Sequence, residues 1–256
     1  MKLTKIISAS AALLMAFSVA GCKLEEDDPY DIITKVDSNN YTVEKQNTEA
    51  SIIRGYNSTN LQHEGGLVQI TINNQSAGSN DGVLGFIWDY KESTTVKGAK
   101  DFYVIGVNYG YKDTKKFNYY VSKFENIVDI QAANFGASKD AVGNNPKETM
   151  IKDWTAVDGV LSSEKINVVV DVTMGDDGSY SYSIYNVSSV SGEVTKDNYN
   201  KDNTAIVTGT IDANKTGYNK KEQNLLCLYA NVYGNKKLSG AFKFLDTYKV
   251  ADVVEE

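Results

Sequence analysis

Short runs in which apolar and polar residues alternate recur along most of this chain, and this period of two constrains the fold more than any other feature. Ile166 to Val172 has Ile or Val at every second position, and Gly82 to Lys91 places large apolar residues in the same way. β-branched and aromatic residues, among them many of the 17 tyrosines, dominate these runs, as they do in β-strands. We therefore predict an all-β domain.

Turns rich in Asn, Asp, Ser and Gly separate the predicted strands. The strands run over 67–72, 82–91, 101–111, 116–130, 166–172, 179–187, 204–211, 224–233 and 240–248. Met174 to Gly178 predicts a tight turn, and a single helical turn is expected at Pro146 to Met150 within a long loop from Gln131 to Ala156. The repeated strand–turn spacing favours a sandwich of two antiparallel sheets.

The first 22 residues read as an export signal. Lys2 and Lys5 precede the apolar stretch Ile6–Val19, which is too short to span a hydrocarbon core of about 30 Å. Val19-Ala20-Gly21-Cys22 then resembles the lipobox of bacterial lipoproteins, which implies lipid on the Cys22 thiol and cleavage before it. The alternative is an ordinary signal peptide followed by a chance cysteine.

These features give a domain plan with four parts. We predict a signal peptide over 1–21, the lipidated Cys22 and an acidic tether over 22–39, the sandwich over 40–250 and a tail over 251–256. Four successive acidic residues at 25–28, followed by Pro29, are typical of a solvated tether. The expected location is therefore outside the cytoplasm, on a membrane of the bacterial cell envelope, through acyl chains on Cys22. The sequence does not indicate the leaflet.

Charge and the scarcity of His and Cys exclude several function classes. Without Lys2 and Lys5 the 26 basic residues become 24, against 33 acidic ones, so nucleic acid is not an expected partner. His63 is the single histidine, which excludes multi-histidine metal sites and argues against a histidine-dependent triad. With Cys22 lipidated, the chain has no second cysteine that could form a disulfide with Cys227, and we expect a buried thiol in a strand.

Several sequence blocks occur in an order that resembles the concanavalin A-like lectin and glucanase jelly rolls, which include laminin G-like modules. These blocks are Gly65–Ile72, Gly82–Tyr90, Asp101–Asn108, Phe117–Phe124, Asn224–Val232 and Gly240–Phe244. The resemblance covers roughly residues 40–248 and lies in the succession of strands, not in an invariant motif. It implies a curved two-sheet sandwich that binds ligands on its concave sheet or at loops along one edge.

The same resemblance implies a ligand-binding surface of aromatic and amide or carboxylate side chains. Tyrosine faces would pack on sugar rings, and Asp and Asn would bind the hydroxyls. The candidate residues are Asp89, Tyr103, Asn108, Tyr109, Tyr111 and Tyr119. Trp88 shares its parity with Leu84 and Phe86 and is expected in the core. The implied ligand is carbohydrate or glycosylated surface material. The alternative is a structural or protein-binding envelope lipoprotein.

Catalysis and cofactors are not expected from the sequence. Glucanases of this fold carry acid-x-acid-x-acid on one strand, and the nearest segment here, Phe124–Ile130, places Glu125 and Asp129 four residues apart, about 13 Å along a strand. We therefore predict that the protein is not an enzyme. Asp176 and Asp177 leave a weak case for calcium, but two acids in a turn fall well short of a full ligand set.

Overall fold

The computed structural model describes residues 32–46, 50–56, 63–73, 82–109, 116–128, 147–160, 165–201, 204–212, 225–232 and 237–249. Over these residues the chain forms β-strands and no helix. The strands are β1 (Ile33–Lys35), β2 (Asn40–Gln46), β3 (Ala50–Gly55), β4 (His63–Asn73), β5 (Val83–Glu92), β6 (Lys100–Tyr109), β7 (Phe117–Ile127), β8 (Lys147–Val157), β9 (Lys165–Met174), β10 (Tyr180–Asn186), β11 (Val207–Ile211), β12 (Leu225–Val232) and β13 (Lys237–Lys249).

The strands form two antiparallel sheets. One has seven strands in the order β1-β2-β13-β4-β9-β10-β11, and the other has six in the order β3-β12-β5-β6-β7-β8. Neighbours in space are often distant in sequence, as in the pairings of β13 with β2 and with β4. The predicted all-β, two-sheet antiparallel sandwich is confirmed.

The main hydrophobic core lies between the two sheets. Val68, Ile70 and Ile72 of β4 fill it from the seven-stranded sheet, and Leu84 and Phe86 of β5 belong to the same cluster. All five side chains are at most 1% exposed. Burying each of these side chains stabilises the fold by about 1.5–3 kcal/mol. This gain favours apolar residues at alternate positions, and for that reason the period of two predicted these strands.

Each sheet also carries apolar side chains on its outer face. On the six-stranded sheet we call this group the outer cluster: Ile53, Val83, Ile87, Tyr90, Phe102, Val104, Tyr120, Phe124, Ile127, Cys227 and Tyr229. The predicted burial of the Cys227 thiol is confirmed. Because both faces of the central strands are buried, β5 is apolar from Val83 to Trp88 and β6 from Phe102 to Val107.

On the outer face of the seven-stranded sheet, the segment 187–201 packs over β4 and β9. Val194 and Tyr199 of this segment contact the cluster that contains Leu67 and Val169. The Tyr199 hydroxyl donates to Asp171 Oδ2 at 2.8 Å, and the Tyr248 hydroxyl donates to Asp171 Oδ1 at 3.0 Å. One carboxylate therefore joins the segment, β9 and β13.

Two expectations about local structure are wrong. Lys147–Met150, where a helical turn was expected, belongs to the edge strand β8, which pairs with β7 from Glu125↔Lys147 to Phe117↔Val157. β1 lies inside the range 22–39 given to the tether. Ile32 and Ile33 are 1% and 0% exposed, because they pack into the core between the sheets, so the packed domain begins before residue 40.

The two ends of the sandwich differ in regularity. At one end, which we call the N-terminal end, lie Ile33 and Asn73, since Ile33 pairs with Val43, Val43 with Gly240 and Gly240 with Ile72. Tyr109 is at the same end, because Leu84 lies beside Gly240 and pairs with Val107. At the other end β5 finishes, β6 starts and β7 finishes. We call it the bulged end, because β5 and β7 are both irregular there.

Candidate functional site

β5 and β7 are the two neighbours of β6, and each contains a β-bulge at the same level of the sheet. In β5 the register shifts between Trp88↔Tyr103 and Lys91↔Asp101. In β7 it shifts between Phe102↔Phe124 and Lys100↔Ile127. Bulges commonly redirect side chains next to functional sites.

The two bulges hold the non-glycine residues with positive φ among those described. Asp89 has φ 52° in β5, and Asn126 has φ 62° in β7. Asn and Asp accept this left-handed region more readily than other residues with a Cβ atom, but it still costs free energy relative to a regular strand. The backbone at this end of the sheet is therefore irregular in both strands that neighbour β6.

The β5 bulge buries an ion pair. Asp89 Oδ2 lies 3.3 Å from Lys91 Nζ, and the two side chains are only 2% and 11% exposed. Removing two charges from water is costly, and their mutual attraction offsets that cost only when both partners are present. Burying this pair at the end of an otherwise apolar strand therefore has a cost in free energy that only the intact pair offsets.

The aromatic ring of Tyr103 in β6 lies near this pair. It stacks on Trp88 with centroids 5.7 Å apart and an interplanar angle of 16°, and it also contacts Tyr180 of the opposite sheet at 5.7 Å. Burial raises the pKa of the Tyr103 hydroxyl, and the negative charges of Asp89, Glu125 and Asp101 raise it further. The hydroxyl therefore stays protonated and can donate a hydrogen bond.

The β7 bulge adds further polar groups. The Asn126 backbone N–H donates to Asp101 Oδ1 at 2.8 Å, and the Ser93 hydroxyl donates to Asn126 Oδ1 at 2.6 Å. Lys123 Nζ lies 2.7 Å from Glu125 Oε1, with the two side chains 23% and 28% exposed. These two charged groups are thus in contact with solvent, unlike the Asp89–Lys91 pair.

We define the bulged-end cluster as Asp89, Lys91, Asp101, Tyr103, Lys123 and Glu125. It combines carboxylate groups, which accept hydrogen bonds, with ammonium groups, which donate them. Its one aromatic ring, that of Tyr103, stacks on Trp88. Charged hydrogen-bonding groups of both kinds can bind a ligand rich in hydroxyl groups, because each hydroxyl both donates and accepts.

A second arrangement lies on the outer face of the six-stranded sheet, one row across four strands. Tyr229, Gly85, Gly106 and Tyr120 are successive cross-strand partners. A Cβ atom at Gly106 would lie 2.2 Å from Tyr120 Cε1, and one at Gly85 would lie 3.0 Å from Tyr229 Cδ1. The two tyrosine rings therefore lean over the two glycines, and both are buried.

The residues predicted for ligand binding do not form one site. Asp89 and Tyr103 are together at the bulged end, whereas Asn108 and Tyr109 close β6 at the N-terminal end of the sandwich, about 17–20 Å away from Tyr103 along the strand. Asn108 is 1% exposed and donates from Nδ2 to the Gly82 carbonyl, and Tyr109 is half-buried.

The remaining two candidates give no exposed platform among the described residues. Tyr119 is 5% exposed within the core between the sheets, so its ring is not on the outer face. Burial raises the pKa of its hydroxyl, and a hydrogen bond with Thr155 opposes that rise. Tyr111 lies outside the described residues. Trp88 is confirmed as a core residue.

The sequence did not indicate four members of the bulged-end cluster as site residues: Lys91, Asp101, Lys123 and Glu125. The available signal was the interruption of an apolar run by two charges, Asp89 and Lys91, on either side of Tyr90. In a regular strand these two charges would share a face opposite Trp88 and Tyr90. The bulge changes that relation, and no pattern of alternating residues indicates where a bulge will form.

The acidic turn between β9 and β10 has a structural explanation. Asp177 Oδ1 accepts hydrogen bonds from the Ser179 backbone N–H at 2.9 Å and from the Ser179 hydroxyl at 2.6 Å. These bonds hold the pKa of the Asp177 carboxyl below its usual range. Across the described ranges, no three or more His, Cys, Asp or Glu side chains are grouped so as to hold a metal ion.

No protein-family model matches the chain, and no curated protein is similar to it in sequence. Three solved structures with a similar fold are a legume lectin-like domain from Entamoeba histolytica, a mixed linkage glucan GH16 from Bacteroides ovatus and the kappa-carrageenase from Pseudoalteromonas carrageenovora.

The lectin-like domain has 13% identity and a TM-score of 0.42, with 86% of this chain and 87% of that one covered. The GH16 has 12% identity and a TM-score of 0.43, covering 83% and 84%, and the carrageenase has 11% and 0.42, covering 85% and 82%. At these values the likeness carries no argument about ligand or activity.

The prediction that the chain is not an enzyme is contradicted, because glycoside hydrolases, a GH16 and a carrageenase, are among the structures with a similar fold. The same fold carries both lectin-like and hydrolytic proteins, and for that reason the fold alone establishes neither activity.

Proposed function

We propose that this chain is a lipid-anchored protein of the bacterial cell envelope that binds carbohydrate at the bulged-end cluster. The lipobox-like Val19-Ala20-Gly21-Cys22 supports the anchor. The observation that carries the binding site is the pair of bulges flanking β6, which gathers charged groups of both signs at one end of an apolar sheet.

The chemistry of the cluster suits a sugar better than an apolar ligand. Lys123 and Glu125 reach solvent, so a ligand can approach them directly. Hydroxyl groups that bridge a carboxylate and an ammonium group replace the water that both would otherwise bind. Charge-assisted hydrogen bonds of this kind are roughly twice as strong as neutral ones.

Binding is tested with the mature chain carrying Cys22→Ser, on a glycan array and then by calorimetry with the glycans that bind. Glu125→Gln and Lys123→Met are expected to weaken binding at least tenfold, because each removes one charged partner of the ligand hydroxyls. Ser189→Ala, in an exposed turn of the seven-stranded sheet, is the matched control and should bind as the parent does.

Two results would overturn the proposed site. One is a folded protein that binds no glycan on the array, and the other is binding that both cluster substitutions leave unchanged. Analysis of the products after incubation with a bound glycan decides whether binding leads to cleavage.

The anchor is tested separately by growing the host on a labelled fatty acid. Label should be incorporated into the parent chain and not into Cys22→Ser. Equal labelling of the two proteins would contradict lipidation at Cys22. Within the described residues no helix is long and apolar enough to cross a membrane.

A further inference from the structure

The position at which the chain joins the sandwich determines which end is nearest to its N-terminal segment. Ile33 pairs with Val43, and Val43 is joined through Gly240 to Ile72, one residue before β4 ends at Asn73. Because β1 runs from Ile33 toward Lys35 and antiparallel to β2, the residues that precede Ile33 leave the sheet at the N-terminal end.

Contacts between the two sheets identify the same end in the six-stranded sheet. A Cβ atom at Gly240 would lie 2.7 Å from Leu84 Cδ1, so the start of β5 lies beside the same end of β13. Trp88 and Tyr103, next to the bulges, instead contact Tyr180, where β10 begins after the 175–179 turn. The bulged-end cluster is therefore at the far end of the sandwich.

The distance between these ends follows from strand length. β10 runs from Tyr180 to Asn186, and six residue steps of about 3.3 Å give about 20 Å between the level of the cluster and that of the N-terminal end. The ten residues from Cys22 to Asp31 span at most about 33–36 Å, so the N-terminal end stays within that distance of the lipid, whereas the cluster can lie about 20 Å farther out.

Charge opposes contact between this chain and an anionic lipid surface. Residues 25–28 are all acidic, and the chain from Cys22 onward carries 33 acidic residues against 24 basic ones once Lys2 and Lys5 are removed. An anionic lipid surface repels such a chain within about a Debye length. This repulsion opposes a domain lying flat against the membrane.

We infer that the anchored sandwich directs its N-terminal end toward the lipid surface and presents the bulged-end cluster away from it. This inference rests on the proposed lipidation of Cys22 and adds an orientation to it. The cluster then faces material outside the membrane, and a ligand reaches it without passing between the domain and the lipid.

The orientation is tested with fluorescent labels at the two ends of β10. Asp176→Cys places a thiol in the exposed turn before the strand, and Ser189→Cys places one in the exposed turn after it. Neither added thiol competes with the native ones, because Cys227 is buried and lipid blocks Cys22. Each labelled lipoprotein is reconstituted in vesicles of phosphatidylcholine with a minor fraction of phosphatidylglycerol and an acceptor dye on the lipid headgroup.

Energy transfer to the lipid dye should be clearly stronger from the Ser189 position than from the Asp176 position. Equal transfer from both, or stronger transfer from Asp176, would overturn the orientation. The same labels on Cys22→Ser should give no transfer, and transfer that persisted in that variant would contradict the anchor instead. Failure of the orientation and failure of the anchor are thereby separated.

Discussion

Trp88 and Tyr90 are two residues apart in β5, yet they lie on opposite faces of the six-stranded sheet. Trp88 belongs to the core between the sheets, and Tyr90 belongs to the outer cluster. In a regular strand they would share a face, so the bulge at Asp89 reverses the side-chain parity. β7 repeats this reversal, because Phe124 and Ile127, three residues apart, both lie in the outer cluster.

Breaking the buried ion pair is expected to destabilise the fold. Asp89→Ala leaves the Lys91 ammonium group without its carboxylate in a nearly dry environment, and we expect the free energy of unfolding to fall by about 3 kcal/mol. Urea unfolding of Asp89→Ala, Lys91→Met and the double variant measures the coupling. The double variant should lose less than the sum of the single losses, and strict additivity would contradict a direct pair.

Stability should fall at high pH because of Tyr103. Below pH 10 the phenol is protonated in both the folded and the unfolded chain, and it contributes no pH dependence. Above pH 10 only the unfolded chain ionises, since the folded pKa is raised from 10.0 by burial and nearby carboxylates. The free energy of unfolding then falls by about 1.4 kcal/mol per pH unit from this group.

Tyr103→Phe checks this assignment. Its unfolding free energy should decline less steeply than the parent's above pH 10, while the two curves run parallel between pH 7 and 9. Parallel curves over the whole range would show that Tyr103 does not cause the loss.

The glycine row predicts a steric effect that depends on one ring. Gly106→Ala places a methyl group 2.2 Å from Tyr120 Cε1, and the Tyr120 ring is also packed 4.5 Å from Trp154 and cannot move freely. We expect a loss of about 1–3 kcal/mol, measured by thermal and urea unfolding. In a Tyr120→Leu background the same substitution should cost clearly less. An equal cost there would indicate that the backbone, and not the ring, excludes the methyl group.

The shared carboxylate of Asp171 predicts coupled effects on the 187–201 segment. Tyr199→Phe and Tyr248→Phe each remove one hydrogen bond to a charged acceptor, and each is expected to lower the unfolding free energy by about 1–2 kcal/mol. Hydrogen exchange should accelerate in residues 187–201 for Tyr199→Phe. Faster exchange confined to other strands would contradict the role of Tyr199 in holding the segment.

The sequence predicted the interior of the fold better than its margins. Strands with two buried faces, such as β5 and β9, have strongly apolar patterns and were found. β1, β3 and β8 lie at sheet edges, where one side makes no strand pairing and charges are tolerated, so their patterns are weak. Pro146, Lys147 and Glu148 resembled the start of a helix for that reason.

The candidate site was predicted only in part, for a physical reason. Asp89 and Tyr103 lie together at the bulged end, but Asn108 and Tyr109 were grouped with them because strand patterns carry no information about position along the sheet. Register follows from pairing between distant strands, and bulges follow from local strain. Both arise only when the sheet assembles.

The complete burial of Cys227 on the outer face of the six-stranded sheet has a consequence for the reactivity of its thiol. A thiol without solvent contact is out of reach of oxidases and of small disulfides, so it neither forms mixed disulfides nor links two copies of the chain. This protection begins only when β12 has paired with β3 and β5, because the thiol of an unfolded chain is open to the same reagents.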